Sequence, residues 1–282
     1  TASRYLRPLE WAFNRLKQRG PLCGTVEPPS YGVTDRVESI IERASEPFFL
    51  FVNLPHAHLP RSPDPAYRQQ FVDSDAPTGD VVRTGRTHTF GRRRMDEEAM
   101  AAMSDLYDAD LRTVDDTLSA VLDAVKTTTA DAETLVILVA DHGEHLGEHG
   151  LVGHHHSLFD PVVSVPLAID FPGGGPDVVD SQVETRRVYH TVAQAAKIAS
   201  FPDASLRQGR PDTVARGSFH SPMLDLVSFF QDGAISYDER YLGEPLTFAR
   251  TQTETQVEFD GESWTVPRKE HNSTKRPAPR VE

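Results

Sequence analysis

The sequence predicts an α/β chain: a largely parallel sheet flanked by helices, incomplete as a layer, followed by a small antiparallel sheet. Two continuous apolar runs of strand length, PFFLFVNLP at 47–55 and TLVILVA at 134–140, stop abruptly at polar residues, as strands covered on both faces do. Between them lies a long helical pattern, so strand, crossover helix and strand read as a βαβ unit with parallel strands. From about Gly217 onward the period changes to two around Gly and Asp turns, as in LTFART and TQVEFDGESWTV. That alternation predicts the antiparallel part.

Residues 1–20 space Tyr5, Leu6, Leu9, Trp11, Phe13 and Leu16 as a helix would, ended by Gly20-Pro21. After a Pro- and Gly-rich loop, Val37, Ile40 and Ile41 share one side of a helix expected over Thr34–Ala44. The first strand follows at 47–55. Residues 61–95 are polar, Arg-rich and without periodicity, which predicts a long surface excursion serving as a lid or substrate loop. In the helix expected over Asp96–Lys126, Met103, Leu106, Tyr107, Leu111, Val114, Leu118, Val121, Leu122 and Val125 recur at steps of three and four, opposite Asp105, Asp108, Arg112, Asp115 and Asp116. The second strand comes at 134–140 and a third, VPLAIDF, at 165–171. A helix over Arg187–Ala199 closes the α/β part. The expected organisation is an α/β domain over 1–216, a β subdomain over 217–270 and a disordered tail over 271–282.

A length of 282 residues is ample for a sizeable core. At 38% hydrophobic and 25% charged residues the chain is neither membrane-spanning nor a disordered tail. No apolar run of transmembrane length or N-terminal signal is visible, which gives a cytoplasmic expectation. The net charge of −13 disfavours nucleic acid and anionic lipid, and any anionic substrate needs a local positive site. Only Lys17, Lys126, Lys197, Lys269 and Lys275 are lysines, so the acid-rich, Lys-poor composition matches a salt-adapted protein. With Cys23 as the only cysteine, an internal disulfide, a Cys-rich zinc site and an iron–sulfur cluster are excluded. The chemistry must use His, carboxylate or hydroxyl groups.

Ligands of open parallel sheets collect beyond the carboxyl ends of the strands. His56 and His58 stand after the first strand, and Asp141 and His142 after the second. From Asp141 the chain reads DHGEHLGEHGLVGHHHSLFD, so half of its twelve histidines fall within fifteen residues. An Asp oxygen beside a neutral His nitrogen can share one divalent cation, and Gly143 lets the backbone turn away tightly. The same residue types also make ordinary turns, and Glu144, His145, Glu148 and His149 read equally as polar loop surface.

FFLFVNLPHAHLP, with TLVILVADHGEHLGEHGLVGHHHSLFDPVVSVPLAI about 80 residues later, resembles the C-terminal portion of a sulfatase of the alkaline phosphatase superfamily. The resemblance covers roughly residues 34–200. It implies an alkaline-phosphatase-like sheet, and it implies that Asp141 and His142 hold a divalent metal, calcium first, with magnesium or manganese as alternatives. It implies that His58, in a Pro-His-x-Pro-like loop with Ala57 in the usual Pro position, contacts the transferred sulfate. A Lys usual before the Ser/Thr-Leu-Tyr/Phe-Asp/Glu element, here Ser157-Leu158-Phe159-Asp160, is matched by His155, or by His154 if the loop shifts by one.

The family's Cys/Ser-x-Pro-x-Arg nucleophile has no counterpart here. Cys23 precedes Gly24-Thr25-Val26-Glu27, and the segments starting at Ser45, Ser164 and Ser200 have the proline without the Arg. No Asp pair follows a strand before residue 47. The expectation is therefore part of a metal-dependent hydrolase of sulfate esters, inactive as this chain. An apolar sheet edge would pair with a missing N-terminal half or with itself. The alternatives are a phosphodiesterase, phosphonate hydrolase or phosphoglycerol transferase relative, and a non-catalytic remnant or half of a split enzyme.

Overall fold

Val33, Val37 and Ile41, spaced by four, define the buried stripe of α1 (Val33–Arg43), which has Asp35 in its first turn and Arg43 in its last, signs that suit the helix dipole. Gly32 enters it at φ +81°, a left-handed conformation that glycine adopts without a Cβ penalty. The computed structural model describes residues 32–45, 47–78, 96–128, 133–148, 152–154, 158–175, 178–208, 211–219, 246–259 and 261–267. The helix expected over 1–20, Cys23 and the tail over 271–282 lie outside the described residues. The described residues divide into two compact units, the first helical and the second containing the strands.

In the first unit, α2 (Pro65–Phe71) and α3 (Glu97–Thr128) complete the helices. Both start on side-chain caps: Asp64 accepts from the N–H of Ala66 at 2.8 Å, and Asp96 from that of Ala99 at 2.8 Å. The aperiodic reading of 61–95 missed α2, although Asp64-Pro65 is a cap followed by proline in the first helical position. Val37, Ile41 and Val121 form a buried cluster, with Val33, Leu50, Val52 and Val125 packed against it. Burying each large aliphatic side chain contributes about 1.5–3 kcal/mol.

The segment 47–55 corrects an expectation. It forms no strand ladder among the described residues. Leu50 and Val52 turn onto the α1/α3 cluster, while Phe49 and Phe51 are 74% and 77% exposed. Its neighbours in this unit are helices, which cover one face.

The buried face of α3 is also less apolar than its periodicity implied. Asp110, Thr113 and Thr117 are buried while Leu111 is exposed. The threonine hydroxyls donate one turn back to the carbonyls of Ala109 and Thr113, and Thr113 Oγ1 accepts from the N–H of Asp64 at 3.0 Å. Asp110 Oδ1 accepts from the N–H of Ser62 at 3.2 Å. Arg61, 3% exposed, donates to the carbonyl of Ala57 and lies 4.5 Å from the centre of the Tyr107 ring. Burial pushes Asp110 up to about 6, against the opposing pull of Arg61 and the Ser62 N–H.

The second unit contains β1 (Val136–Val139), β2 (His145–Leu146), β3 (Val152–Gly153), the one-turn α4 (Asp160–Val163), β4 (Leu167–Asp170), α5 (Arg187–Ala195), and β5 to β8 (Ala215–Phe219, Leu246–Arg250, Glu254–Phe259, Glu262–Pro267). β1 pairs antiparallel with β4, Val136 opposite Asp170, and β2 pairs antiparallel with β3, His145 opposite Gly153. The expected C-terminal sheet is present as an antiparallel meander in the order β5-β6-β7-β8. Helices and strands mix as the α/β class requires, with an incomplete sheet. The ladders among the described residues are antiparallel. No helix among the described residues is long and apolar enough to cross a membrane.

Asp110 gives the first unit a pH signature. Its folded pKa of about 6 stands above the ordinary 3.8, so its contribution to stability is complete below about pH 4 and is lost as pH rises through about 6. Some two pKa units correspond to about 3 kcal/mol. Chemical denaturation between pH 4 and 7 is expected to show this decline in the native chain and a flatter profile in Asp110→Asn. Identical slopes in the two proteins would contradict it.

Candidate functional site

The chain leaves β1 at Val139 and delivers Asp141 and His142 at the strand's carboxyl end. The turn is forced by contact. Gly143 N–H donates to the carbonyl of Val162 at 2.8 Å, and a Cβ at Gly143 would lie 2.1 Å from the carbonyl oxygen of Pro161. Only glycine lets the loop press so closely on α4. α4 is itself held from the C-terminal sheet: Arg250 of β6, 5% exposed, pairs with Asp160 at 2.9 Å and donates to Ser164 Oγ at 2.7 Å. Gln182 Nε2 donates to the Arg250 carbonyl at 2.9 Å.

Alternation then sorts the loop's side chains. His145 and Gly153 are paired across β2 and β3, so continuing the register sets Glu144 opposite His154, and His142 shares their parity. His145 points the other way. It is fully buried, with its ring edge-on to Phe159 at 6.2 Å, a core residue. On the other face, the His142 and His154 rings stack at 3.9 Å. His154 Nδ1 is hydrogen-bonded to Glu144 Oε1, and the Glu144 side chain is only 4% exposed. His142, Glu144 and His154 each offer a ligand atom, all within 4.8 Å of one another.

Asp141 and His142, the metal pair the sequence pointed to, lie together. The Asp141 carboxylate is 90% exposed, and its Oδ2 is 3.8 Å from His142 Nε2. His142 Nδ1 lies 2.9 Å from the Gly143 carbonyl, which fixes the ring and leaves Nε2 on the side of Asp141. An open carboxylate beside an oriented imidazole fits a divalent cation by donor chemistry. His58 belongs to the first unit, where it is exposed with Nδ1 2.5 Å from the Leu59 carbonyl. Its neighbour Ala57 adopts φ +69°, and the Arg61 side chain holds the Ala57 carbonyl. In the same loop His56 Nε2 is buried without a hydrogen-bond partner among the described residues, and burial lowers the pKa of His56. His155 lies outside the described residues. The histidine seen against His142 is His154, and Glu144, which the sequence left open between the polar cluster and loop surface, joins it.

The model of the family described as Sulfatase matches residues 14–198. The chain belongs to the sulfatase family. It is 28% identical over 164 residues to the uncharacterized sulfatase YidJ of Escherichia coli strain K12, covering 55% of this chain and 33% of that protein. It is 22% identical over 200 residues to a sulfatase of Formosa agariphila, covering 64% of this chain and 38% of that one. Among solved structures, the phosphonate monoester hydrolase of Agrobacterium radiobacter superposes with a TM-score of 0.64 at 19% identity, over 84% of this chain and 54% of that chain. This is a likeness of fold. The chain spans between a third and two-fifths of these curated relatives' lengths.

The contact at Gly143 predicts that Gly143→Ala destabilises the second unit by about 1–3 kcal/mol, an overpacking cost met by backbone and not by a flexible side chain. Arg250→Met, which removes the guanidinium from both Asp160 and Ser164, is expected to cost about 1–3 kcal/mol. Urea denaturation of the two variants checks both, and native-like midpoints would contradict the anchoring of this loop through α4.

Proposed function

We propose that this chain carries the metal loop and one substrate-contacting loop of a hydrolase that cleaves sulfate esters. The observation that carries the proposal is the Asp141–His142 pair at the carboxyl end of β1, inside the segment that matches the sulfatase family. Asp141 and His142 would hold the divalent cation, calcium by family resemblance, and the bound cation would supply positive charge against the sulfuryl oxygens. Within a chain of net charge −13 that local charge is needed to admit an anionic ester at all.

His58 acts from its own loop. The Leu59 carbonyl beside Nδ1 orients the ring, and Nε2 is the nitrogen proposed to contact a sulfuryl or leaving-group oxygen. His155 is the second donor in this proposal. Neither residue supplies a nucleophile. Cys/Ser-x-Pro-x-Arg does not occur in these 282 residues, so the chain by itself is proposed to bind the ester without turning it over.

Assays of the chain with p-nitrophenyl sulfate and a matching phosphonate monoester, each with and without divalent metal, test this reading. The expected result is metal-dependent binding of the sulfate ester, weakened by Asp141→Asn and by His58→Ala, and no turnover. Robust metal-dependent sulfate release would refute the proposed inactivity. Preference for the phosphonate ester would refute the substrate class.

A further inference from the structure

The loop that presents His58 rests on two buried charged side chains that packing alone does not require. Arg61 is 3% exposed and Asp110 is 1% exposed. Apolar side chains under a turn would lose no hydration, whereas burying a guanidinium and a carboxyl does. Both direct polar atoms at the backbone of residues 57–62. Arg61 reaches back four residues to the carbonyl of Ala57, and Asp110 Oδ1 accepts from the N–H of Ser62 at 3.2 Å. The guanidinium lies 4.5 Å from the centre of the Tyr107 ring, so one turn of α3 supplies both that ring and the carboxyl. Asp110 Oδ2 is buried without a hydrogen-bond partner among the described residues, and the charge that pulls on this carboxyl is that of Arg61.

The backbone at the gripped carbonyl is unusual. Ala57 adopts φ +69°, a left-handed conformation that a residue with a Cβ keeps only where its surroundings impose it. The residue that follows is His58, exposed, with Nδ1 2.5 Å from the Leu59 carbonyl. We propose that Arg61 and Asp110 are positioning residues of the substrate-contacting loop: through the Ala57 carbonyl and the Ser62 N–H they hold the turn that sets where His58 meets a bound sulfate ester. This deepens the proposed function and rests on its reading of His58 as an ester contact. Neither residue touches the ester; the effect of each passes through the backbone. Lysine at position 61 would keep the charge and lose the planar fork that serves the carbonyl while lying over Tyr107.

The test measures binding of p-nitrophenyl sulfate to the full 282-residue chain with calcium present, alongside nuclear magnetic resonance shifts of the Ala57 backbone and the His58 ring. Arg61→Ala is expected to weaken the ester about tenfold or more, because a small misplacement of a contacting group is amplified in its effect, and to leave calcium affinity unchanged. Guanidinium at low millimolar concentration is expected to restore part of the loss, and sodium chloride at the same concentration is not. That rescue separates positioning from general destabilisation. A folded Arg61→Ala chain that binds the ester as tightly as the native chain, or one that guanidinium leaves unrestored, overturns the proposal. Should Arg61→Ala not fold, Arg61→Lys decides: weaker ester binding with Ala57 shifts displaced from the left-handed range supports the proposal, and native affinity with native shifts overturns it. A native chain that binds no sulfate ester removes the proposed function, and the shifts alone then judge the hold on the loop: displaced in Arg61→Lys they sustain it, unchanged they overturn it. Ester binding that His58→Ala weakens and the Arg61 variants do not leaves the proposed function standing and removes the positioning role.

Discussion

The approach of Gly143 to α4 is the constraint on which the candidate site depends. Its N–H reaches the Val162 carbonyl while the Pro161 carbonyl oxygen occupies the space a Cβ would need. Because the backbone is fixed at that point, the residues on either side have defined directions. Asp141 opens to solvent, His142 turns its Nδ1 to the Gly143 carbonyl, and Glu144 goes under the hairpin toward His154. α4 provides this footing through Asp160 and Ser164, both gripped by Arg250 from a strand ninety residues further along. A charged pair made from β6, an inner strand of the C-terminal sheet, thus reaches the loop after β1 in two steps. This gives the small sheet a structural role in a site to which it contributes no ligand.

The His58 loop is secured by a different device in its own unit. Arg61 spans back to the Ala57 carbonyl and lies over Tyr107, while Asp110 and Thr113 of α3 accept the next free backbone donors, from Ser62 and Asp64. Asp110 and Thr113 thereby each answer a backbone group of the loop, while the Thr117 hydroxyl is satisfied within the helix. These bonds explain how the helix face buries an aspartate and two threonines beside Met103 and Leu106.

Much of this was legible from residue order. The spans of α1, α3, β1 and β4, the alternating C-terminal strands and the strand-end position of Asp141 and His142 all follow from periodicity and punctuation. The family was legible in the DHGEHLGEH stretch. What periodicity could not supply was partnership. An apolar run such as PFFLFVNLP looks the same whether one face or two are covered, and here Leu50 and Val52 meet helices while Phe49 and Phe51 stay exposed. Strand direction depends on which neighbour is present, so β1 with β4 came out antiparallel. Glu144 stays open between cluster and surface in the sequence because a glutamate between histidines carries no burial signal by itself. The register of β2 with β3 makes it a partner of His154, a pairing of residues ten apart that emerges once the hairpin is known.

The central claim is that the turn after β1 forms a cation-binding corner whose donors are aimed by the Gly143 contact. Anomalous X-ray diffraction from crystals of the chain soaked in a divalent transition metal tests that most directly. The account predicts one strong peak per chain within coordination distance of His142 and of a carboxylate oxygen from Asp141. Peaks confined to the histidine run at 154–156, with His142 and Asp141 turned away, would contradict it.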